Sequence, residues 1–184
     1  RGGGPKIIVI VGPTASGKSA LVIKIAQKFG GEIVSADSRQ IYCGMDIGTA
    51  KPKLVANGKW LMADDVPHYL IDIKNPNQNY TVAEYKKDAT AAIRKILRKG
   101  KLPILVGGTG LYVQAITDNL DIPKVEANTA LRKKLEKEIE KRGLEAVFKK
   151  LVVLDPEAAY IVDHENPRRV VRALEVALTT GKPF

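Results

Sequence analysis

The segment GPTASGKS, residues 12–19, constrains the fold of this chain more than any other stretch. It matches the pattern G-x-x-x-x-G-K-[ST], in which glycines turn the backbone so that successive N–H groups and a helix N-terminus face an anion. An apolar β-branched run, Ile7 to Val11, precedes it, and an amphipathic pattern from Lys18 to Phe29 follows it. This context predicts a strand, a phosphate-binding loop and a helix, in that order.

Residue types within the loop have separate chemical uses. The Lys18 ammonium supplies a positive charge to phosphate oxygens, and the Ser19 hydroxyl is placed to hold Mg²⁺. We therefore predict that a diphosphate or nucleotide is bound by the residues Gly12, Pro13, Thr14, Ala15, Ser16, Gly17, Lys18 and Ser19.

Strand and helix patterns alternate through the first two thirds of the chain. Helix signals include a capping box, in which Thr81 begins a helix that runs to about Arg98 and Glu84 stands three positions after the cap. A loop is predicted around residues 44–52, and a short helix follows the glycine-rich turn of residues 107–110. Further strands are predicted at Glu32–Ala36, Tyr69–Ile73 and Leu102–Val106. This alternation predicts a P-loop NTPase-like doubly wound parallel sheet with ligands at the carboxyl ends of its strands.

The pattern changes near Asp121, where strand signals cease. Leu131, Leu135 and Ile139 recur at i, i+4 and i+8 among many charged residues, which predicts a helical insertion. Asn166 and Pro167 then begin a helix that Gly181 ends. The predicted organisation is an α/β core over residues 5–120, a helical insertion over 121–163 and a return to the core over 164–184.

The excess of basic residues indicates the kind of molecule that this chain binds. The chain has 30 Lys plus Arg against 20 Asp plus Glu, a formal charge of +10, which favours a polyanionic partner. We predict that the insertion over residues 121–163 contacts RNA. For any one of its charged residues, a solvated helix face held by pairs such as Glu138 with Arg142 is at least as good an interpretation. A single cysteine, Cys43, excludes an intrachain disulfide framework, and there is no apolar run of about 18 residues. We expect a cytoplasmic protein with no membrane contact.

P-loop hydrolases have a later strand that ends in an acidic residue, which orients the magnesium ion. This chain lacks an acidic residue at the end of the corresponding predicted strand. Its best later strand, LPILVGGTG, ends in glycines and a threonine. The carboxylate that the sequence does place near the loop is Asp37, at the end of the neighbouring predicted strand. It would either coordinate a metal through water or accept a proton from an incoming nucleophile.

Together with the loop, four long segments carry a family resemblance: SADSRQIYCGMDIGTAKP, VPHYLID, LPILVGGTGLY and NPRRVVRALEVALTTGKP. The chain resembles the tRNA dimethylallyltransferases, also called tRNA isopentenyltransferases. The resemblance implies transfer of a dimethylallyl group from dimethylallyl diphosphate to N6 of the adenosine adjacent to the anticodon. It also implies Mg²⁺ as cofactor, the anticodon loop of tRNA as partner and a monomer. It covers essentially all of this chain but only the front part of a usual family member.

The resemblance assigns roles to individual residues. The catalytic residues it implies are Asp37 as the base that takes the amine proton, Lys18 as the stabiliser of the departing diphosphate, and Thr109 beside the reacting centre. A helix N-cap is the alternative interpretation of Thr109. Contacts with tRNA are implied for Asp37, Ser38, Arg39 and Gln40, and for Arg168, Arg169, Val170, Val171 and Arg172. Arg172 is also expected to bind the diphosphate, and Arg168 stands where the family pattern has glutamine.

Three other functions remain open on the sequence. An adenylate isopentenyltransferase acting on free AMP, ADP or ATP would share the phosphate loop, but the basic insertion and the DSRQ segment argue against it. A P-loop small-molecule kinase or NTPase would also bind nucleotide, but it would need the acidic strand end that is missing here. The third alternative is a fragment that binds RNA without catalysing a reaction.

Overall fold

A computed structural model describes residues 6–13, 16–57, 60–120, 122–123 and 125–181. The chain divides into two compact units between Ile122 and Pro123. The elements of the first unit are β1 (Ile8–Val11), α1 (Lys18–Phe29), β2 (Gly31–Ser35), β3 (Val55–Asn57), β4 (Trp60–Ala63), β5 (Val66–Tyr69), α2 (Val82–Arg98), β6 (Leu102–Gly107) and α3 (Gly110–Thr117). Those of the second unit are α4 (Thr129–Arg142), α5 (Leu144–Leu154), α6 (Ala158–Ile161) and α7 (Pro167–Thr180).

The first unit is built on one six-stranded sheet in the order β1-β6-β2-β5-β4-β3. Strands β1, β6, β2 and β5 are parallel, whereas β4 pairs antiparallel with β5 and β3 pairs antiparallel with β4 at the edge of the sheet. This mainly parallel arrangement confirms the predicted α/β fold class. The carboxyl ends of β1, β2 and β6 meet at one edge, which is where parallel sheets bind ligands.

Helices cover both faces of this sheet. Ile33 and Ile104 belong to an apolar cluster with α1, whereas the next residues along the same strands, Val34 and Leu105, belong to a cluster with α2 and α3. Successive side chains of a strand point to opposite faces, so both faces of β2 and β6 are buried. The doubly wound arrangement is therefore confirmed.

Local capping signals predicted α2 well. Thr81 Oγ1 accepts a hydrogen bond from Glu84 N at 3.2 Å, and Thr81 N donates to Glu84 Oε2 at 2.8 Å. This reciprocal pair is the capping box that the sequence predicted.

The predicted strand Tyr69–Ile73 is wrong. The strand ends at Tyr69, because Leu70 and Asp72 adopt left-handed backbone angles, with φ of 62° and 54°. Leu70 and Ile71 are nevertheless buried, so their apolar side chains resemble a strand in the sequence. Strands β3 and β4 were not predicted, because they lie in a segment without a long apolar run.

The second unit packs α4, α5 and α7 around an apolar cluster that includes Leu135, Val147, Leu151 and Leu174. The predicted helices are confirmed, with Gly143 separating α4 from α5, and α6 was not predicted. The return of residues 164–184 to the α/β core stays a prediction. No helix among the described residues combines the length and the apolarity that crossing a bilayer requires.

Candidate active site

The phosphate loop joins β1 to α1 at the ligand-binding edge of the sheet. Gly17 is the N-cap residue of α1 and has a φ of 81°, a left-handed angle at which a side chain would be strained. The Lys18 side chain folds back across the loop and donates to the Pro13 carbonyl and, at 3.2 Å, to Ser16 Oγ. The predicted binding residues Thr14 and Ala15 lie outside the described residues.

Asp37 follows β2 and has its two carboxylate oxygens in different situations. Its Oδ1 accepts hydrogen bonds from Arg39 N at 2.9 Å and Gln40 N at 3.3 Å, an Asx-type turn that fixes the direction of the side chain. Its Oδ2 makes no hydrogen bond with any residue that the structure describes. The second oxygen is therefore available to accept a proton from a substrate.

Thr109 stands at the N-cap position of α3, but its side chain makes no capping hydrogen bond there. Instead, its Oγ1 accepts from Ser38 N at 2.9 Å and donates to Ser38 Oγ at 3.3 Å. Its own N–H donates to the carbonyl oxygen of Ala36 at 3.1 Å. Thr109 therefore holds the Asp37–Ser38 segment against the end of β6, which the N-cap interpretation would not require.

Gly107 is a site residue whose role the sequence analysis missed. A Cβ atom at this position would lie 2.1 Å from the carbonyl oxygen of Ala36, closer than any real contact. Only glycine lets the end of β6 approach the backbone before Asp37 so closely. The glycine pair in the sequence indicated a turn, but the partner that requires it comes from another strand.

Gln40 connects the Asp37 turn to the loop of residues 44–51. Its Oε1 accepts from Ser35 Oγ at 3.0 Å, and its Nε2 donates to the carbonyl oxygen of Thr49 at 2.9 Å. Thr49 Oγ1 in turn donates to the Met45 carbonyl at 2.7 Å. Both ends of the Gln40 amide thus hold protein groups, and the predicted tRNA contact of this residue stays a prediction.

The buried side chain of Lys51 also holds the loop of residues 44–51 in place. Its side chain is 5% exposed, and its Nζ donates to Tyr42 O at 2.7 Å, Asp46 Oδ1 at 2.9 Å and Asp72 Oδ1 at 2.6 Å. Burial by itself lowers the pKa of Lys51, but the hydrogen bonds that its ammonium donates to Asp72 and Asp46 more than offset this and raise it. The ammonium therefore stays charged and orders the loop.

Two cavities open at this edge of the sheet. One, of about 330 Å³, has Gly17, Lys18 and Ser19 in its wall, and the other, of about 320 Å³, has Ser38 and Thr109. Asp37 and Thr49 line both cavities. Asp37 is therefore part of the wall of both the phosphate-loop cavity and the second cavity.

The phosphate-loop cavity suits a hard cation. The Ser19 hydroxyl and the Asp37 carboxylate line the same cavity, and Mg²⁺ prefers oxygen ligands. No group of three His, Cys, Asp or Glu side chains with metal-binding geometry occurs among the described residues. A Mg²⁺ ion here would complete its shell with water and phosphate oxygens, as this ion commonly does.

The second group of predicted site residues lies on α7, in the second unit. Arg168 and Arg172 line a cavity of about 410 Å³ together with Arg132. Val170 and Val171 are buried in the apolar cluster, and Val171 also borders this cavity. Arg169 N donates to the capping side chain of Asn166. The predicted contact of Arg172 with a diphosphate, like the tRNA contacts of this group, stays a prediction.

Comparison with known protein families matches residues 40–184 to the family described as IPP transferase. The chain belongs to this family. A second family, described as isopentenyl transferase, matches residues 5–74 and so includes the phosphate loop. The resemblance inferred from the sequence segments is confirmed.

Curated relatives in this family are named tRNA dimethylallyltransferase. The protein of Bacillus cytotoxicus is 48% identical over 180 residues, which are 96% of this chain and 54% of the relative. That of Herpetosiphon aurantiacus is 49% identical over 180 residues, 98% of this chain and 55% of the relative. The chain thus spans about half the length of the curated relatives it matches.

Solved structures of the same family share the fold. The full-length tRNA isopentenylpyrophosphate transferase of Bacillus halodurans is 42% identical, with a TM-score of 0.60 over 98% of this chain and 58% of its own. A eukaryotic dimethylallyltransferase acting on tRNA is 32% identical, with a TM-score of 0.74 over 98% of this chain and 43% of its own. These likenesses confirm the P-loop NTPase-like fold class.

Proposed function

We propose that this protein transfers a dimethylallyl group from dimethylallyl diphosphate to N6 of the adenosine adjacent to the anticodon in tRNA. The observation that carries the proposal is that one carboxylate, Asp37, lines both the phosphate-loop cavity and the neighbouring cavity. This arrangement suits a reaction in which a phosphate group leaves on one side of the carboxylate and a nucleophile is deprotonated on the other. The names of the relatives support the same reaction.

The donor diphosphate binds in the phosphate-loop cavity. Breaking the bond between its oxygen and the allylic carbon builds negative charge on the departing diphosphate. Lys18 and the loop N–H groups stabilise that charge in the transition state, which lowers the barrier. Mg²⁺ held by Ser19 supplies further positive charge to the diphosphate oxygens when it is bound.

The acceptor adenine enters the second cavity. Its exocyclic N6 forms the new bond to the allylic carbon, and the amine proton passes to Asp37 Oδ2 as the diphosphate leaves with the bonding electrons. Thr109 and Ser38 hold this segment in place by the hydrogen bonds between them. Asp37 therefore serves as the general base, and Lys18 and Thr109 complete the catalytic set.

Basic residues of this chain hold the tRNA backbone. The formal charge of +10 favours a polyanion, and Arg39, Arg168 and Arg169 are the predicted contacts. Taking the adenine out of its stack costs a few kcal/mol, and the cost is least for an unpaired loop base. We expect the protein to act as a monomer in the cytoplasm.

Nucleoside analysis tests this function directly. The protein is incubated with dimethylallyl diphosphate, Mg²⁺ and unmodified tRNA, and the digested nucleosides are examined by mass spectrometry. The expected product is adenosine that carries one dimethylallyl group on N6. A parallel reaction with AMP separates the alternative: modification of AMP but not of tRNA would indicate an adenylate isopentenyltransferase. Phosphate release from ATP, undiminished in the Asp37→Asn variant, would indicate a kinase or NTPase instead.

A further inference from the structure

A buried carboxylate in the second unit lies beside the cavity that Arg132, Arg168 and Arg172 line. Glu175, on α7, is 0% exposed, and its two oxygens together accept four hydrogen bonds. Oε1 accepts from Asn128 N at 2.6 Å and from Arg132 Nε at 2.9 Å. Oε2 accepts from Arg132 NH2 at 2.7 Å and from Arg172 NH1 at 2.6 Å.

These contacts fix two guanidinium groups side by side. Arg132 meets the carboxylate through two parallel N–H groups, the most directional form of this ion pair. Arg172 is held at a second point as well, since its NH2 donates to the carbonyl oxygen of Val125 at 3.1 Å. The remaining N–H groups of both side chains have no hydrogen-bond partner among the described residues.

Both arginines are also in the wall of the cavity. Its volume is about 410 Å³, and the two residues share the wall with Arg168 and Glu136. The side chains of Arg132 and Arg172 are 37% and 29% exposed, so solvent reaches them although their partner Glu175 is fully buried. A fixed pair of partly exposed guanidinium groups is suited to one oxyanion with several acceptor oxygens.

We propose that Glu175 is a positioning residue that aims Arg132 and Arg172 together at one backbone phosphate of the bound tRNA. The inference rests on the proposed function for the identity of the ligand, and it adds Arg132 to the residues expected to touch it. Glu175 itself does not contact the RNA. Its effect comes from restricting two long side chains, whose ordering would otherwise cost free energy on binding.

Simple charge counting predicts the opposite effect of removing this carboxylate. Glu175→Gln makes the protein more positive by one charge, so an unstructured basic surface would bind RNA more tightly. If Glu175 aims the arginines, the same substitution weakens binding in spite of the added charge. Glu136→Gln is the matched control, because Glu136 lines the same cavity, is exposed and makes the same change of charge.

The experiment measures binding of a fluorescently labelled, unmodified anticodon stem-loop RNA to the 184-residue chain at several salt concentrations. No prenyl donor is present. For Glu175→Gln we expect the dissociation constant to rise roughly tenfold and the slope of log K against log salt to fall by about one. For Glu136→Gln we expect a dissociation constant that is equal or lower. Tighter binding by both variants would overturn the proposal.

A second variant covers the case in which Glu175→Gln unfolds, which far-UV circular dichroism would reveal. Arg132→Lys keeps the charge but loses the two-pronged contact with Glu175, and we expect it to weaken RNA binding by roughly fivefold. Binding equal to that of the parent chain would contradict a positioning role. Because no donor is used, failure of prenyl transfer would leave this result standing, and the two proposals are tested separately.

Discussion

Two carboxylates, one in each unit of the molecule, show how burial and hydrogen bonding decide whether a charged group can react or only holds other residues in place. Asp37 is half-buried, uses one oxygen to accept two backbone N–H groups and borders two cavities. Glu175 is fully buried and has both oxygens occupied by two arginines and a backbone N–H. A carboxylate with an oxygen to spare can take a proton from a substrate, whereas a saturated one can only hold its partners in place.

The largest expected effect comes from Asp37→Asn. The amide oxygen can still accept the N–H groups of Arg39 and Gln40, so the turn should persist, but the amide cannot act as a base. We expect the rate of dimethylallyl transfer to fall by about 10³-fold, within the range for general bases. Single-turnover kinetics measure the rate, and calorimetry with the donor should show unchanged binding. Lys18→Ala is the control, and it should weaken donor binding and transfer together. If Asp37→Asn lost as much donor binding as Lys18→Ala, the assignment of Asp37 as the base and Lys18 as the diphosphate ligand would be contradicted.

The next largest effect is on stability, through Glu175→Gln. Burial alone would raise the pKa of Glu175, but hydrogen bonds from Arg132, Arg172 and the Asn128 N–H more than offset this and lower it to about 2. The pKa of this carboxyl is lower in the folded chain than in the unfolded chain, where it is 4.5. Its ionised form therefore stabilises the fold at pH values above 4.5, and this contribution is lost as the pH falls towards 2.

We therefore expect Glu175→Gln to lower the free energy of unfolding by about 3 kcal/mol at neutral pH. The difference from the parent chain should shrink between about pH 4.5 and pH 2, as measured by urea titrations at several pH values. A difference that stayed constant over this range would show that the ion pairs are not its source.

Gly107→Ala tests the close approach that places Asp37. The added methyl group would collide with the backbone of Ala36, and the main chain would have to move to relieve the collision. We therefore expect the free energy of unfolding to fall by about 2 kcal/mol. Gly110→Ala is the matched control three residues on, since no atom lies within 4 Å of its added Cβ and its φ is not left-handed. Thermal unfolding of the two variants measures the contrast, and equal melting temperatures would refute the steric argument.

The smallest effect should come from Thr109→Val, which keeps the shape of the side chain but loses both hydrogen bonds with Ser38. We expect transfer to slow by roughly tenfold, equivalent to about 1.4 kcal/mol. Thr109→Ser should restore most of the rate, because its hydroxyl can make the same bonds. If the valine variant kept full activity, the hydroxyl would have no part in ordering the Asp37 segment.

Much of the framework was predictable because its signals are local. The phosphate loop, α1, the capping box of α2 and the Asn166 cap of α7 each depend on residues within a few positions of one another. Strand β5 was placed wrongly because Leu70 and Ile71, which are buried in a turn, look like strand residues in the sequence. Strands β3 and β4 are short, and their pairing with β5 carries no strong pattern in the sequence.

The sequence by itself determined the phosphate loop, the change from alternating strands and helices to helices alone near Asp121, the basic charge and the family, all of which follow from residue order. Only the tertiary structure decided which charged groups from distant parts of the sequence meet. Lys51 meets Asp72 across 21 positions, and Glu175 meets Arg132 across 43 and Asn128 across 47. Such pairs depend on how distant segments pack, since a buried charge is stable only where folding brings its counter-charges within hydrogen-bonding distance.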